Sequence, residues 1–159
     1  MNPQGKRLIQ KVKYSKDRVK INYLIVHPDE RTDAYAVDCV DRPRVEFDAA
    51  LQKIADELCD WCELPEAWFE NVTVLGVSFS FKDGNMGAVV TFQKPIRYCN
   101  SPLILNAPHK AEHPYSEGGD YSVCLTKEQI ALLKDVIAEC EKYLDGDRAQ
   151  MRLPLEEAV

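Results

Sequence analysis

VTVLGVSFSFKDGNMGAVVTFQKPI, residues Val72 to Ile96, contains two apolar runs that face each other across Lys82-Asp83-Gly84-Asn85. Asp-Gly at the centre of such a turn accepts the positive φ angles of a two-residue type I′ hairpin loop. With Asp83 and Gly84 in the loop, Phe81 pairs with Met86, Phe79 with Ala88, Val77 with Val90 and Leu75 with Phe92, so every inward partner is apolar. A slip of one residue would turn that whole face to water, which fixes the register. The apolar parity changes between Val74 and Leu75, beside Gly76, and predicts a β-bulge or the start of the strand there. This hairpin decides the fold class and carries no chemistry of its own.

A second hairpin precedes it. Leu8 to Tyr14 and Val19 to Ile25 alternate in the strand period, and a turn at Ser15-Lys16-Asp17-Arg18 pairs Tyr14 with Val19, Val12 with Ile21 and Leu8 with Ile25. Tyr35, Val37 and Cys39 continue the pattern as a short third strand. From Glu46 the period changes: Phe47, Ala50, Leu51, Ile54, Leu58, Trp61 and Cys62 form the stripe of an amphipathic helix that Pro65 ends. Ser101 to Asn106 reads as a further edge strand, and residues 107–123 are the longest stretch without periodicity, the mark of a functional or mobile loop. Thr126 and Gln129 form a capping-box signature ahead of the stripe Ile130, Leu133, Val136, Ile137, Cys140, Tyr143 and Leu144, with Gly146 as the stop. The expected fold is α+β: antiparallel β-hairpins forming one sheet, with two amphipathic helices packed on one face. It spans residues 1–146 as a single domain, followed by an exposed tail, 147–159.

A chain of 159 residues favours one domain, able to bury about 70% of its unfolded surface without staples. Its six cysteines are scattered through the expected strands and helices with no basic-then-apolar leader before them, so they are read as reduced thiols of a cytoplasmic protein. No apolar run approaches the roughly 20 residues a bilayer span needs, so no membrane role is expected. The net charge of −6 is unevenly spread. Residues 1–20 contain seven basic residues against Asp17 alone, a local balance of +6 that leaves −12 for the remainder.

That basic segment supplies one candidate surface. Lys11, Lys13, Arg18 and Lys20, extended by Lys6 and Arg7, form a stripe on the polar side of the first hairpin, suited to phosphate contacts with single-stranded DNA or RNA. Single-strand binding also calls for aromatic platforms on that face, whereas the alternation points Tyr14 and Tyr23 inward. The bland alternative is a solvated edge whose lysines discourage strand pairing. Either hairpin edge could also pair with a second copy, giving a homodimer.

The tail carries the other candidate. Gln150-Met151-Arg152-Leu153-Pro154-Leu155 resembles the short linear motif by which bacterial replication, repair and initiation-control proteins bind the DNA sliding clamp. The resemblance implies a polar contact from Gln150 and apolar anchors from Met151, Leu153 and Leu155. Pro154 lowers the entropy lost on binding. More broadly, Lys13-Tyr14-Ser15-Lys16, Glu46 to Leu51, Gly76 to Ser80, Asn100 to Leu103 and Asp145 to Gln150 resemble a family of small proteins encoded by bacterial phages and prophages. That resemblance implies an accessory protein of phage DNA replication or recombination, acting in the host bacterial cytoplasm and using the host clamp as partner.

Catalytic and metal-binding signals are weaker. Cys59-Asp60-Trp61-Cys62 closes a helix rather than opening one, which disfavours redox catalysis. Zinc there would need two further ligands from Cys99, Cys124, His109 or His113, none at a recognised spacing. His109, His113, Asp120 and Cys124 share the long loop and leave a Cys-His enzyme as a third reading. There is no Gly-rich phosphate loop or Ser elbow, and no catalytic residue, metal or cofactor is assigned.

Overall fold

The computed structural model describes residues 5–149. Strands β1 (Lys6–Ser15), β2 (Arg18–Val26), β3 (Thr32–Cys39), β4 (Thr73–Lys82), β5 (Asn85–Lys94), β6 (Leu103–Asn106) and the two-residue β7 (Lys110–Ala111) build one open antiparallel sheet. Its order is β3-β2-β1-β4-β5-β6, with β7 also pairing to β5. Helices α1 (Val45–Lys53), α2 (Leu58–Cys62) and α3 (Lys127–Leu144) pack on one face, so the architecture is α+β.

Both hairpins close as their sequences dictate. Asp83 and Gly84 take φ of 53° and 76°, and the pairs Phe81–Met86, Phe79–Ala88 and Val77–Val90 form as expected. Lys16 and Asp17 take φ of 53° and 60° in the first turn, setting Tyr14 opposite Val19 and Val12 opposite Ile21. Bulges then correct the far end of each ladder. In β4 the register shifts between Val74 and Gly76, so Phe92 lies opposite Val74 and not Leu75. In β1 it shifts between Ile9 and Lys11, so Leu8 meets Leu24 and not Ile25. An extra residue reverses the in–out sense of everything beyond it. Ile9 therefore joins Val12 in the core, Leu8 turns outward, and Arg7 swings to the helix side.

The first helical segment is interrupted by a 3-10 turn, Ile54–Glu57, although Phe47, Ala50, Leu51, Ile54, Leu58 and Trp61 are all buried as the stripe predicts. It stops at Glu63, in the left-handed region at φ 57°, just ahead of Pro65. The Trp61 indole Nε1 donates to Pro108 O at 2.6 Å, tying this helix to the start of the long loop. On α3, Thr126 and Gln129 form the full capping box. Its end is a Schellman motif: Gly146 N–H donates to Tyr143 O and Asp147 N–H to Lys142 O. Residues 147–149 stay against the domain, where Arg148 meets Asp41 Oδ2 at 2.7 Å and Ala149 N–H donates to Arg42 O.

The stretch 107–123 is stitched onto β5. Ala107 N–H donates to Val90 O, Glu112 N–H to Met86 O, and the Asn85 side chain both donates to and accepts from the His113 backbone. No helix among the described residues is long and apolar enough to cross a membrane.

Candidate nucleic-acid interface

The helices cover one face of the sheet, so the alternation of β1 and β2 sets Lys11, Lys13, Lys20 and Asn22 on the other, all exposed. Lys13 lies opposite Lys20 on one side and Gly76 on the other, and Lys11 opposite Asn22 and Ser78. Like charges directly opposite one another repel. An anion between them removes that cost. Arg18 is already engaged, its Nε donating to Asp38 Oδ1 at 2.9 Å. Among the described residues Lys11, Lys13 and Lys20 meet no carboxylate in an ion pair.

The β1 bulge splits the expected extension of this stripe. Lys6 remains on the open face. Arg7 leaves it, reaching Glu141 Oε1 on α3 at 3.4 Å and Oδ1 of Asp145, the residue that caps α3, at 3.1 Å, with its guanidinium over the Tyr23 ring. Burial works against its charge, but the Asp145 hydrogen bond and the two carboxylates outweigh it and hold the guanidinium above its usual pKa.

Tyr14 and Tyr23 pack against the core side, as the alternation predicts. The aromatic group on the open face comes from the long loop, which sequence reasoning missed. His109 Nε2 lies 3.0 Å from Ser80 Oγ, on the same face of β4 as Ser78. The Tyr115 ring stacks against His109 with centroids 6.1 Å apart, and Lys82 Nζ sits 5.6 Å from its centre. Gly87 makes this possible, because a Cβ there would come within 2.3 Å of His109 Nε2. Tyr115 is 58% exposed, leaving its ring available to a further stacking partner. The one sequence signal is a glycine at a strand position whose neighbours alternate regularly, a mark of close approach that does not say what approaches.

His109, His113, Asp120 and Cys124 do line one depression, of about 330 Å³, yet they do not assemble into a thiol site. The buried Cys124 Sγ approaches Asp120 O at 3.8 Å and, among the described residues, hydrogen-bonds to neither histidine. The Asp120 carboxylate caps the turn Tyr121–Val123 by accepting from Ser122 N–H at 2.8 Å, and the Ser122 hydroxyl together with that N–H holds it below the usual carboxylate range. Cys59 and Cys62 lie in the last helical turn before Pro65 as unbridged thiols, and burial pushes Cys62 up against the opposing pull of Lys110. That direction opposes reactivity. Among the described residues no group of three or more His, Cys, Asp or Glu side chains is placed to hold a metal. The clamp-motif residues Gln150, Met151, Leu153, Pro154 and Leu155 lie outside the described residues.

The open face therefore combines a group of cations with an exposed ring pair, separated along β4 by the four residue steps from Gly76 to Ser80, about 13 Å. No family model, curated protein or solved structure matches this chain.

Proposed function

We propose that this chain binds single-stranded nucleic acid across the open face of its sheet, as a non-enzymatic accessory protein of DNA metabolism. The observation that carries this reading is the pairing, on one helix-free face, of Lys11, Lys13 and Lys20 with the exposed Tyr115–His109 stack. Single-strand binders use that combination of a cationic track and a stacking platform. A duplex offers no unstacked base to Tyr115. The bland reading of the lysines as a guard against strand pairing fits less well, because β1 is an interior strand paired on both sides.

The test is anisotropy of a labelled oligothymidylate titrated at several salt concentrations. Log affinity should fall with log salt at a slope near −2, about −0.7 for each of three phosphates neutralised. Replacing Lys11, Lys13 and Lys20 together by Ala should flatten that slope, and absence of saturable binding to the unmodified protein at low salt would end the proposal.

A second reading concerns the tail. Six consecutive residues, 150–155, match the clamp-binding pattern, and they begin one residue after Ala149, whose N–H is bonded to Arg42 O at the domain surface. On this reading the chain is a phage accessory protein tethered to the host sliding clamp, and the two activities are compatible. A peptide of residues 150–159 should bind a bacterial clamp at micromolar affinity, about −8 kcal/mol, and Gln150→Ala with Leu153→Ala should remove that binding. Equal binding of both peptides would reduce the tail to a chance match.

A further inference from the structure

Beyond the flat part of the lysine face the sheet forks. β1 pairs with β4 only from Lys11 to Lys13, and past the bulge at Leu75 the two strands part. The Gln52 amide from α1 takes over there, donating to Val74 O and accepting from Val74 N–H, both at 2.9 Å. The fork forms a cleft of about 590 Å³, open to solvent on one side. That is a volume typical of small-molecule sites.

Its lining is sorted by chemistry. Tyr14, Leu75 and Ile104 supply apolar surface, the last 58% exposed at the mouth. Ser15, Thr73 and Gln93 supply hydroxyl and amide groups that make no side-chain hydrogen bond among the described residues, and two carboxylates complete the lining: Asp48, whose Oδ1 already accepts from Gln52, and Asp17 beside Lys16 at the hairpin tip. At the hairpin tip Lys13, Ser15 and Lys16 also line a second, contiguous recess of about 180 Å³, completed by Arg18 and Lys20. Four of its five lining residues are cationic.

We infer that the fork is a site for one nucleoside phosphomonoester, its base and sugar in the larger cavity between Leu75, Thr73 and Gln93 and its phosphate in the lysine recess at the hairpin tip. A terminal phosphate carries nearly two charges at neutral pH and an internal phosphodiester only one, so a recess whose Lys13, Lys16 and Lys20 remain outside any ion pair among the described residues, with Arg18 held by Asp38, favours the former. Asp17 and Asp48 disfavour a phosphate in the larger cavity, and Asp48 accepts a hydrogen bond from a base amine or sugar hydroxyl, which orients the ligand. The ligand is either the phosphorylated end of a strand or a free nucleotide. The first source rests on the strand reading above, because Lys13 belongs to both the flat face and the fork; the second stands on the cavity alone.

The experiment measures the full chain against oligothymidylates phosphorylated at the 5′ end, at the 3′ end or at neither, and against thymidine 5′- and 3′-monophosphates. The fork predicts that one phosphorylated strand binds at least about tenfold more tightly than the bare one, or that one free monophosphate binds saturably with inorganic phosphate competing at least about tenfold more weakly. Lys16→Asn keeps a residue tolerant of the left-handed turn conformation at φ 53°. It should bring the phosphorylated strand down to the affinity of the bare one, and Gln93→Ala, checked for an unchanged unfolding midpoint, should do the same. Equal affinity for all three strands with no monophosphate binding overturns the fork while leaving the strand reading intact. Monophosphate binding without strand binding overturns the strand reading and supports the fork. Inorganic phosphate competing as well as the nucleotide overturns the nucleoside assignment, and no binding of any probe overturns both.

Discussion

Lys13 shows at the scale of one residue how binding and stability oppose each other on this face. With Lys20 directly across the ladder and no carboxylate partner among the described residues, Lys13→Ala should leave the urea midpoint unchanged or raise stability by about 0.2–1 kcal/mol. The same change should weaken strand binding and lower the salt slope by roughly one contact. A lysine that merely solvated the surface would move only the first measurement. Tyr115→Ala should cost about 1–3 kcal/mol of strand affinity with little salt dependence, while Tyr115→Phe keeps the stacking surface and most of the affinity. Anisotropy at two salt concentrations separates these from the lysine effects. The lysines were legible in the sequence because period 2 alone assigns them a face. Tyr115 and His109 were not, because a loop residue reaches the sheet through one side-chain contact to Ser80 and an absent Cβ at Gly87, neither of which leaves a periodic trace.

Among the elements, β4 depends most on its surroundings. Gln52 satisfies both backbone groups of Val74 where β1 has left, so Gln52→Leu should destabilise by about 1–3 kcal/mol, read as a fall in the urea midpoint. Gly76→Ala should cost more, since its Cβ would meet Val12 O at 2.1 Å and push apart the pairing that brings Lys13 beside β4. Loss of the α3 cap in Thr126→Ala should cost about 1 kcal/mol. The cap, the α3 stripe and the Asp83-Gly84 turn were readable because each rests on neighbours within four residues. The bulge in β1 was not: Leu8, Val12 and Tyr14 share one parity, and with Leu8 and Ile9 adjacent, either could have faced the core. The long loop escaped because a two-residue strand and the Asn85 amide hold it, leaving no repeat to detect.

At the scale of the whole molecule, α3 packs its buried groups in protonated form. Burial raises the Cys140 thiol above its ordinary 9.0 and Tyr143 above its ordinary 10.0, the latter donating its hydroxyl to Asp41 O at 2.7 Å. Groups that bind their proton more tightly when folded contribute fully below their unfolded pKa, and the contribution is lost as pH rises beyond it. Stability should therefore decline from about pH 8.5–9 upward. Cys140→Ala should be less stable at neutral pH through its cavity, yet show a shallower alkaline decline in urea titrations. Binding on the open face lies across the sheet from this core, so the two can be measured separately. The most direct test of the central claim is amide shift mapping of the isotope-labelled full chain with an oligothymidylate. Shifts concentrated at Lys11, Lys13, Lys20, Ser78, Ser80, Gly87 and Tyr115, with α3 unmoved, are the predicted result. Shifts confined to the helical face, or none at saturating strand, would contradict it.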